Sequence, residues 1–212
     1  VLGEPIVEAD DVIASLVKRI RNEHPTVDIR IISRDKDLTQ LIDDHVELFD
    51  AHKGHIVTPD DVFKTPGMNI PPQKVGDILA LMGDTSDNIK GIDGIGPKTA
   101  AKLIMEYGSI EGVYEHLDEI KGKRKENLIA GQKQLEKSRK LVTLVDDVAF
   151  EFDLSHAKSD PSTWDVASIS SLCKELGFNR FPSEVQLLAQ GDVKPAKPKS
   201  NLILGGLFDM SP

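Results

Sequence analysis

The sequence predicts an α/β fold that gives way to a helical region, on two observations. Runs rich in β-branched residues occur almost only in the first third, where they alternate with helical apolar spacing, and from Pro71 onward helical patterns separated by glycines dominate. Ile6-Val7 leads into Glu8-Ala9-Asp10-Asp11, after which Val12, Ile13, Leu16, Val17 and Ile20 recur at the spacing of an amphipathic helix. Residues 27–33 read as a strand, residues 35–42 as a helix with Leu38, Leu41 and Ile42 inward, and residues 46–49 and 55–57 as two further short strands. Thr58-Pro59-Asp60-Asp61 combines an N-cap hydroxyl, a proline at the first helical position and two acids in the first turn, so a helix starts there. Beyond it, helices are expected over residues 73–82, 97–107, 110–116, 123–144 with breaks, and 162–176, with a short strand at 150–153. Trp164, Phe178 and Phe181 are scarce aromatics and read as core residues. The Lys- and Pro-rich stretch 194–200 reads as a flexible linker. The chain is thus expected to divide into an α/β part over 1–70, a helical part over 71–185 packed on it, and a tail over 186–212.

A chain of 212 residues is long enough to bury a full core. Its single cysteine, Cys173, excludes an intrachain disulfide and suits a reducing, cytoplasmic setting. No apolar run approaches the length of a membrane span, and the opening residues lack the charged and apolar regions of a signal peptide. The net charge of −9 argues at first against a nucleic-acid partner. The charges are uneven, however: residues 121–140 carry eight Lys and Arg against only Glu126 and Glu136. That segment is either a solvated helix surface or a basic face for phosphates.

Three acidic clusters carry the chemistry: Glu8, Asp10 and Asp11; Asp35 and Asp37; Asp84 and Asp87. Each stands where a helix is expected to begin, so capping is the plain explanation of any one of them. Capping needs one acid per helix, whereas this chain supplies two or three at each place. Asp35 and Asp37 also follow a strand directly, at the carboxyl edge where open α/β sheets place their ligands. Carboxylates gathered within a few ångströms need counter-charge. Oxygen-only ligands without His or Cys favour hard ions such as Mg²⁺ or Mn²⁺. A pair of such ions can clamp a phosphodiester, one activating water and the other stabilising the leaving oxygen.

Ile92-Asp93-Gly94-Ile95-Gly96-Pro97-Lys98-Thr99-Ala100-Ala101-Lys102 has the form of a helix-hairpin-helix. Gly94 and Gly96 permit a tight turn and close backbone approach to phosphate, and Pro97 suits the first turn of the next helix. A bare helix N-terminus with lysines beside it is a phosphate site that reads no bases. Lys90, Gly94, Gly96, Lys98, Thr99 and Lys102 are the candidate DNA contacts.

Glu8-Ala9-Asp10-Asp11-Val12-Ile13, Ser33-Arg34-Asp35-Lys36-Asp37-Leu38 and Gly83-Asp84-Thr85-Ser86-Asp87-Asn88, with the hairpin after them, resemble in order and spacing the metal motifs of the 5′-3′ exonuclease domain of bacterial DNA polymerase I and the flap endonuclease family. Lys90 stands where relatives often carry proline. The resemblance implies a PIN-like (Rossmann-like) sheet layer, incomplete at its N-terminus, followed by a helical DNA-binding region. It also implies that Glu8, Asp10 and Asp11 serve a first metal, that Asp35, Asp37, Asp84 and Asp87 serve a second, and that the hairpin holds duplex and a K⁺ ion. The implied activity is two-metal hydrolysis of DNA at 5′ ends or flaps, by a monomer. Two alternatives remain at this point: a non-catalytic DNA-binding helix-hairpin-helix module whose acids only cap helices, and a ribonuclease with a PIN-like sheet. The family also carries an opening strand with an aspartate and a basic arch, neither visible in this sequence, so the 212-residue chain alone is expected to bind divalent metal weakly and to cut DNA little. Leu204-Gly205-Gly206-Leu207-Phe208 resembles short peptides that dock on sliding clamps.

Overall fold

The computed structural model describes residues 7–63 and 69–191. Val1 to Ile6 and the clamp-like tail lie outside the described residues. Two compact units divide after Phe150.

In the first unit, helix α1 (Ala9–Glu23) buries Val12, Ala14, Ser15, Val17 and Ile20 along one face. Strands β1 (Ile29–Ile32) and β2 (Val46–Asp50) pair in parallel, Ile29 opposite Val46 and Ile32 opposite Phe49. Strand β3 (His55–Val57) returns antiparallel to β2, Leu48 opposite Val57 and Asp50 opposite His55. In β2 the alternation is clean, with Val46, Leu48 and Asp50 turned inward. Between β1 and β2 the chain forms a 3-10 turn, Asp37–Leu41, in place of the expected α-helix over 35–42. The turn is short because Ile42 leaves it in extended conformation, with its amide bonded to the Thr39 carbonyl. Helix α2 (Pro59–Phe63) starts with reciprocal bonds: Asp61 Oδ2 accepts from the Thr58 amide at 2.9 Å and its hydroxyl at 2.8 Å, while Thr58 Oγ1 accepts from the Asp61 amide at 3.4 Å.

Helix α3 (Val75–Met82) is the centre of the core. Val75, Ile78, Leu79, Ala80 and Leu81 are all 0% exposed, as an almost wholly apolar helix must be. It packs against the 3-10 turn, against α4 (Pro97–Tyr107) and against α6 (Lys123–Val142). Helix α5 (Ile110–Glu115) follows α4, with the Ser109 hydroxyl capping the Gly112 amide. The α6 helix runs without the breaks expected of it; Gly131 inside it leaves room for Ile92, which packs where a side chain at 131 would stand. The strand expected over 150–153 does not form. Residues 145–148 are tied to α1 instead: Ser15 Oγ donates to the Val145 carbonyl at 3.2 Å and accepts from the Val148 amide at 2.9 Å, and Lys18 pairs with Asp146 at 2.8 Å.

Between α3 and α4 lies a small antiparallel ribbon that the sequence does not predict, β4 (Gly83–Asp84) and β5 (Ile89–Lys90). The ribbon depends on two glycines. Gly83 has φ +80°, and a Cβ on Gly91 would collide with the backbone of Met82 and Gly83.

The second unit, described over 151–191, holds a 3-10 turn (Pro161–Thr163), α7 (Val166–Glu175) and α8 (Phe181–Ala189). The single helix expected over 162–176 is broken at Trp164, which is extended, and restarts where Asp165 caps the Ser168 amide. Helix α8 has no counterpart among the expected elements. Phe178 and Phe181, read as core, are 49% and 54% exposed, with ring centroids 5.5 Å apart. Trp164 is half-buried.

Because the Gly91 collision is with backbone, Gly91→Ala is expected to lower stability by about 1–3 kcal/mol. Urea unfolding followed by circular dichroism measures it, and an unchanged midpoint would contradict this account of the ribbon.

Candidate metal centre

Capping does not account for most of these acids. Glu8 is the N-cap residue of α1 yet its side chain accepts no capping hydrogen bond, and the 3-10 turn that begins at Asp37 also lacks a side-chain cap. Asp84 and Asp87 do not precede a helix at all; Asp84 ends β4 and Asp87 lies in the turn that joins it to β5. Capping therefore leaves the Glu8 and Asp84–Asp87 clusters unexplained.

Distant parts of the chain bring the carboxylates together. One oxygen each of Asp37, Asp84 and Asp87 lies within 4.8 Å of the others. Asp10, in the first turn of α1, stands close enough to Asp35 to share a hydrogen bond, and it also feels the charges of Glu8 and Asp11. Asp35 is near Asp37 and Asp87 as well, so it links the two groups. Its own position is fixed locally: its amide donates to Ser33 Oγ at 3.0 Å, and its Oδ1 accepts from the Asp37 amide at 3.0 Å.

Charge crowding is visible in the proton affinities. Burial and then the charges of Asp35, Asp84 and Asp87 push the pKa of Asp37 up to about 7, against the opposing pull of Lys36. Burial, Asp35, Glu8 and Asp11 push that of Asp10 up to about 6. Asp87 is raised by burial and by Asp84. Asp84 moves the other way. Burial alone would raise it, but hydrogen bonds from Lys36 and Ser86 hold it below the usual carboxylate range. Its Oδ1 accepts from Lys36 Nζ at 2.6 Å, the Ser86 hydroxyl at 2.6 Å and the Ser86 amide at 2.9 Å.

Two oxygens are left over. Asp37 Oδ1 and Asp84 Oδ2 are buried and accept no hydrogen bond. Lys36 Nζ does lie 2.6 Å from Asp84 Oδ2, so that oxygen receives its charge without an aligned N–H. Buried acceptors in this state are costly, and their donor set is all oxygen, which fits a hard divalent ion. Asp11 departs from the rest of its cluster: its Oδ1 accepts from the Val145 amide at 2.8 Å.

The hairpin follows the ribbon directly. Ile92 donates to the Leu81 carbonyl at 2.8 Å, Gly94 turns with φ +73°, and Gly96 precedes α4 as an N-cap without a side-chain bond. A Cβ on Gly96 would meet nothing within 4 Å. Lys90, Lys98 and Lys102 are exposed and Thr99 is half-buried; Lys98 and Lys102 are four apart on α4 and so share a face. Sequence reasoning missed the braces. Asn127 Nδ2 donates to the Asp93 carbonyl at 2.7 Å, and Ser138 Oγ donates to the Lys90 carbonyl at 2.6 Å. It also missed Lys36 and Ser86, although each lies inside one of the acidic motifs.

The raised pKa values fix a pH dependence. Between the ordinary aspartate value of 3.8 and about 7, the folded chain keeps a proton on Asp37 that the unfolded chain has released; Asp10 behaves likewise up to about 6. Stability therefore falls as pH rises through that window. In EDTA the thermal midpoint is expected to drop from about pH 5 to about pH 7.5, and Asp37→Asn to flatten the drop. A midpoint that rises over the same range contradicts the assignment.

Known proteins resemble the chain in sequence and fold. Residues 1–67 match the family model "5′-3′ exonuclease, N-terminal resolvase-like domain", and residues 70–165 match "5′-3′ exonuclease, C-terminal SAM fold". The thermostable DNA polymerase I of Thermus thermophilus is 35% identical over 210 residues, which is 98% of this chain and 24% of the polymerase. DNA polymerase I of Rhizobium leguminosarum is 41% identical over 155 residues, 73% of this chain and 15% of that protein. The chain thus spans a quarter or less of these relatives. Among solved structures, the bacteriophage T5 5′-exonuclease with bound divalent metal ions (zinc) is 26% identical with a TM-score of 0.59, over 86% of this chain and 60% of that one. A T5 flap endonuclease in a pseudo-enzyme-product complex with DNA and metal ions gives 26% and 0.57, over 87% of this chain and 60% of that one. With both domain models matched in order and a PIN-like α/β layer followed by helices, the chain belongs to the 5′-3′ exonuclease family.

Proposed function

We propose that the chain supplies the metal-binding and DNA-gripping part of a 5′-3′ exonuclease and structure-specific 5′ flap endonuclease that hydrolyses DNA phosphodiesters in replication and repair. The carrying observation is the convergence of Asp37, Asp84 and Asp87 within 4.8 Å, with Asp35 joining them to Asp10. Asp37, Asp84 and Asp87 would hold one Mg²⁺ or Mn²⁺, and Glu8, Asp10 and Asp35 a second. Asp11 serves the Glu8 and Asp10 group from behind, by fixing residue 145 against α1. Such ions supply charge neutralisation and polarisation of the phosphodiester. The chain's own part is to hold the carboxylates in place and to keep Asp84 buried and ionised.

The duplex would lie on the hairpin. Lys90, Lys98 and Lys102 offer exposed charges, and the glycine turn before α4 offers backbone to a phosphate. A K⁺ ion at the hairpin carbonyls belongs to the same proposal. The exposed cations of α6 and the turn before it extend the surface: Lys121, Arg124, Lys133, Lys137 and Lys140 pair with no described carboxylate, whereas Lys123, Lys125 and Arg139 do. A purely DNA-binding module is less well supported, because it leaves the buried Asp37 and Asp84 oxygens without purpose.

Asp84→Asn with Asp87→Asn is expected to weaken Mn²⁺ binding more than about 10-fold by calorimetry, a loss of about 1.4 kcal/mol or more. In the full-length gene product the same pair should abolish metal-dependent flap cleavage while duplex binding persists. Retained Mn²⁺ affinity and cleavage would sink the nuclease reading. Lys98→Ala with Lys102→Ala should weaken duplex binding regardless of sequence and reduce the salt slope by about 0.9 for each phosphate no longer neutralised. Metal affinity should be unchanged by that pair, and a weakening confined to one DNA sequence would contradict backbone recognition.

A further inference from the structure

Among the described residues, one cation stands inside the carboxylate cluster. Lys36, between Asp35 and Asp37 in sequence, places Nζ 2.6 Å from Asp84 Oδ1, 2.6 Å from Asp84 Oδ2 and 2.6 Å from Ser86 Oγ. Its side chain is 17% exposed and that of Asp84 is 0% exposed, so this is a shielded pair rather than a surface one. We propose that Lys36 is a displaceable internal counter-ion: in the metal-free chain its ammonium occupies the place at Asp84 that a divalent cation takes on loading. The inference rests on the metal-binding reading of Asp37, Asp84 and Asp87 and adds to it the residue that opposes loading.

Three features carry it. The first is space. Asp84 Oδ1 already accepts from the Ser86 amide, the Ser86 hydroxyl and Lys36, which leaves Oδ2 as the oxygen with coordination capacity. A hard ion binds a carboxylate oxygen at about 2.0–2.6 Å. The ammonium stands 2.6 Å from that same oxygen, so ion and ammonium cannot share it from one side.

The second feature is charge. A single ammonium answers only one of the three converging aspartates. Exchange for a divalent ion supplies more of the missing charge, and the two cations would repel each other if both stayed. Loading is therefore an exchange.

The third feature is an exit. Lys36 also lines a cavity of about 300 Å³ with Arg34, Asp35, Asp50, Lys53, Ser86 and Asp87, open to solvent, where Asp35 and Asp50 offset the two other cations. A flexible four-carbon stem lets the released ammonium swing into it without moving the backbone. A plain structural salt bridge would need no such room and would not compete with metal.

The test uses the 212-residue chain and Mn²⁺ itself, with Lys36→Met, which keeps the stem and removes the charge. Mn²⁺ affinity is read by paramagnetic resonance of the free ion, and thermal unfolding is recorded in EDTA and in saturating Mn²⁺. Lys36→Met is expected to bind Mn²⁺ at least about 5-fold tighter, because a competing occupied state has been removed. Its midpoint should fall below wild type in EDTA, and that deficit should close in Mn²⁺. Lys36→Arg, which retains a competitor, should stay within about 2-fold of wild type. Should Lys36→Met fail to fold, Lys36→Gln keeps a donor to Asp84 and is expected to shift in the same direction. Equal or weaker Mn²⁺ binding by the uncharged variants, or a midpoint deficit that persists in Mn²⁺, overturns the proposal. If Asp87→Asn loses Mn²⁺ while Lys36→Met is unaltered, only the exchange fails. Mn²⁺ binding indifferent to Asp84→Asn and Asp87→Asn overturns the metal reading beneath it as well.

Discussion

Carboxylates held at short range repel one another, and the architecture around the sheet edge is organised by the need to hold them there. Asp37, Asp84 and Asp87 lie within 4.8 Å, with Asp35 and Asp10 adjoining. Such a cluster persists in the metal-free chain only through counter-charge and protons. Lys36 supplies the charge, bridging both oxygens of Asp84, and below about pH 7 and about pH 6 protons held on Asp37 and Asp10 add to it. Both solutions are incomplete. Two buried oxygens still accept no hydrogen bond, and unsatisfied acceptors of this kind in a folded core point to a ligand rather than to stability.

The scaffold that fixes the cluster is apolar and continuous. Five residues of α3 are fully buried, and its C-terminus passes at once into Gly83 and Asp84. The ribbon then leads through Gly91 to the hairpin, whose Ile92 donates back to Leu81 of α3. One helix therefore positions both the deepest carboxylate and the glycine turn. Asn127 and Ser138 of α6 brace the same segment by its Asp93 and Lys90 carbonyls. The carboxylate cluster and the glycine turn are built on one short stretch of backbone and so keep a fixed relation through the chain itself.

Much of this was legible in the sequence because periodicity and capping are local. The spacing of Val12, Val17 and Ile20 marked α1, and the run from Val75 to Leu81 marked a buried helix. What was not legible depends on tertiary partners. The strand pairing of Gly83–Asp84 with Ile89–Lys90 spans two residues on each side, too few for any alternation to show. Ser15 reads as an ordinary polar residue on an amphipathic helix, and only the fold reveals that it tethers residues 145 and 148. Lys36 was hidden by its neighbours, since a basic residue between two aspartates looks like local neutralisation, whereas its ammonium reaches 48 positions along the chain. Phe178 and Phe181 mislead in the opposite sense: scarcity of aromatics suggested a core, yet both rings stand about half exposed. The acids themselves were located by sequence, but their shared pocket came from the resemblance and then from the structure.

The most direct test of the central claim is an anomalous difference map from crystals of this chain soaked in Mn²⁺. The account predicts a peak within about 2–2.5 Å of Asp84 Oδ2 and of an oxygen from Asp37 or Asp87, with the Lys36 ammonium moved off Asp84. A map with no peak among these three aspartates, and Lys36 still seated on Asp84 at saturating Mn²⁺, would contradict it.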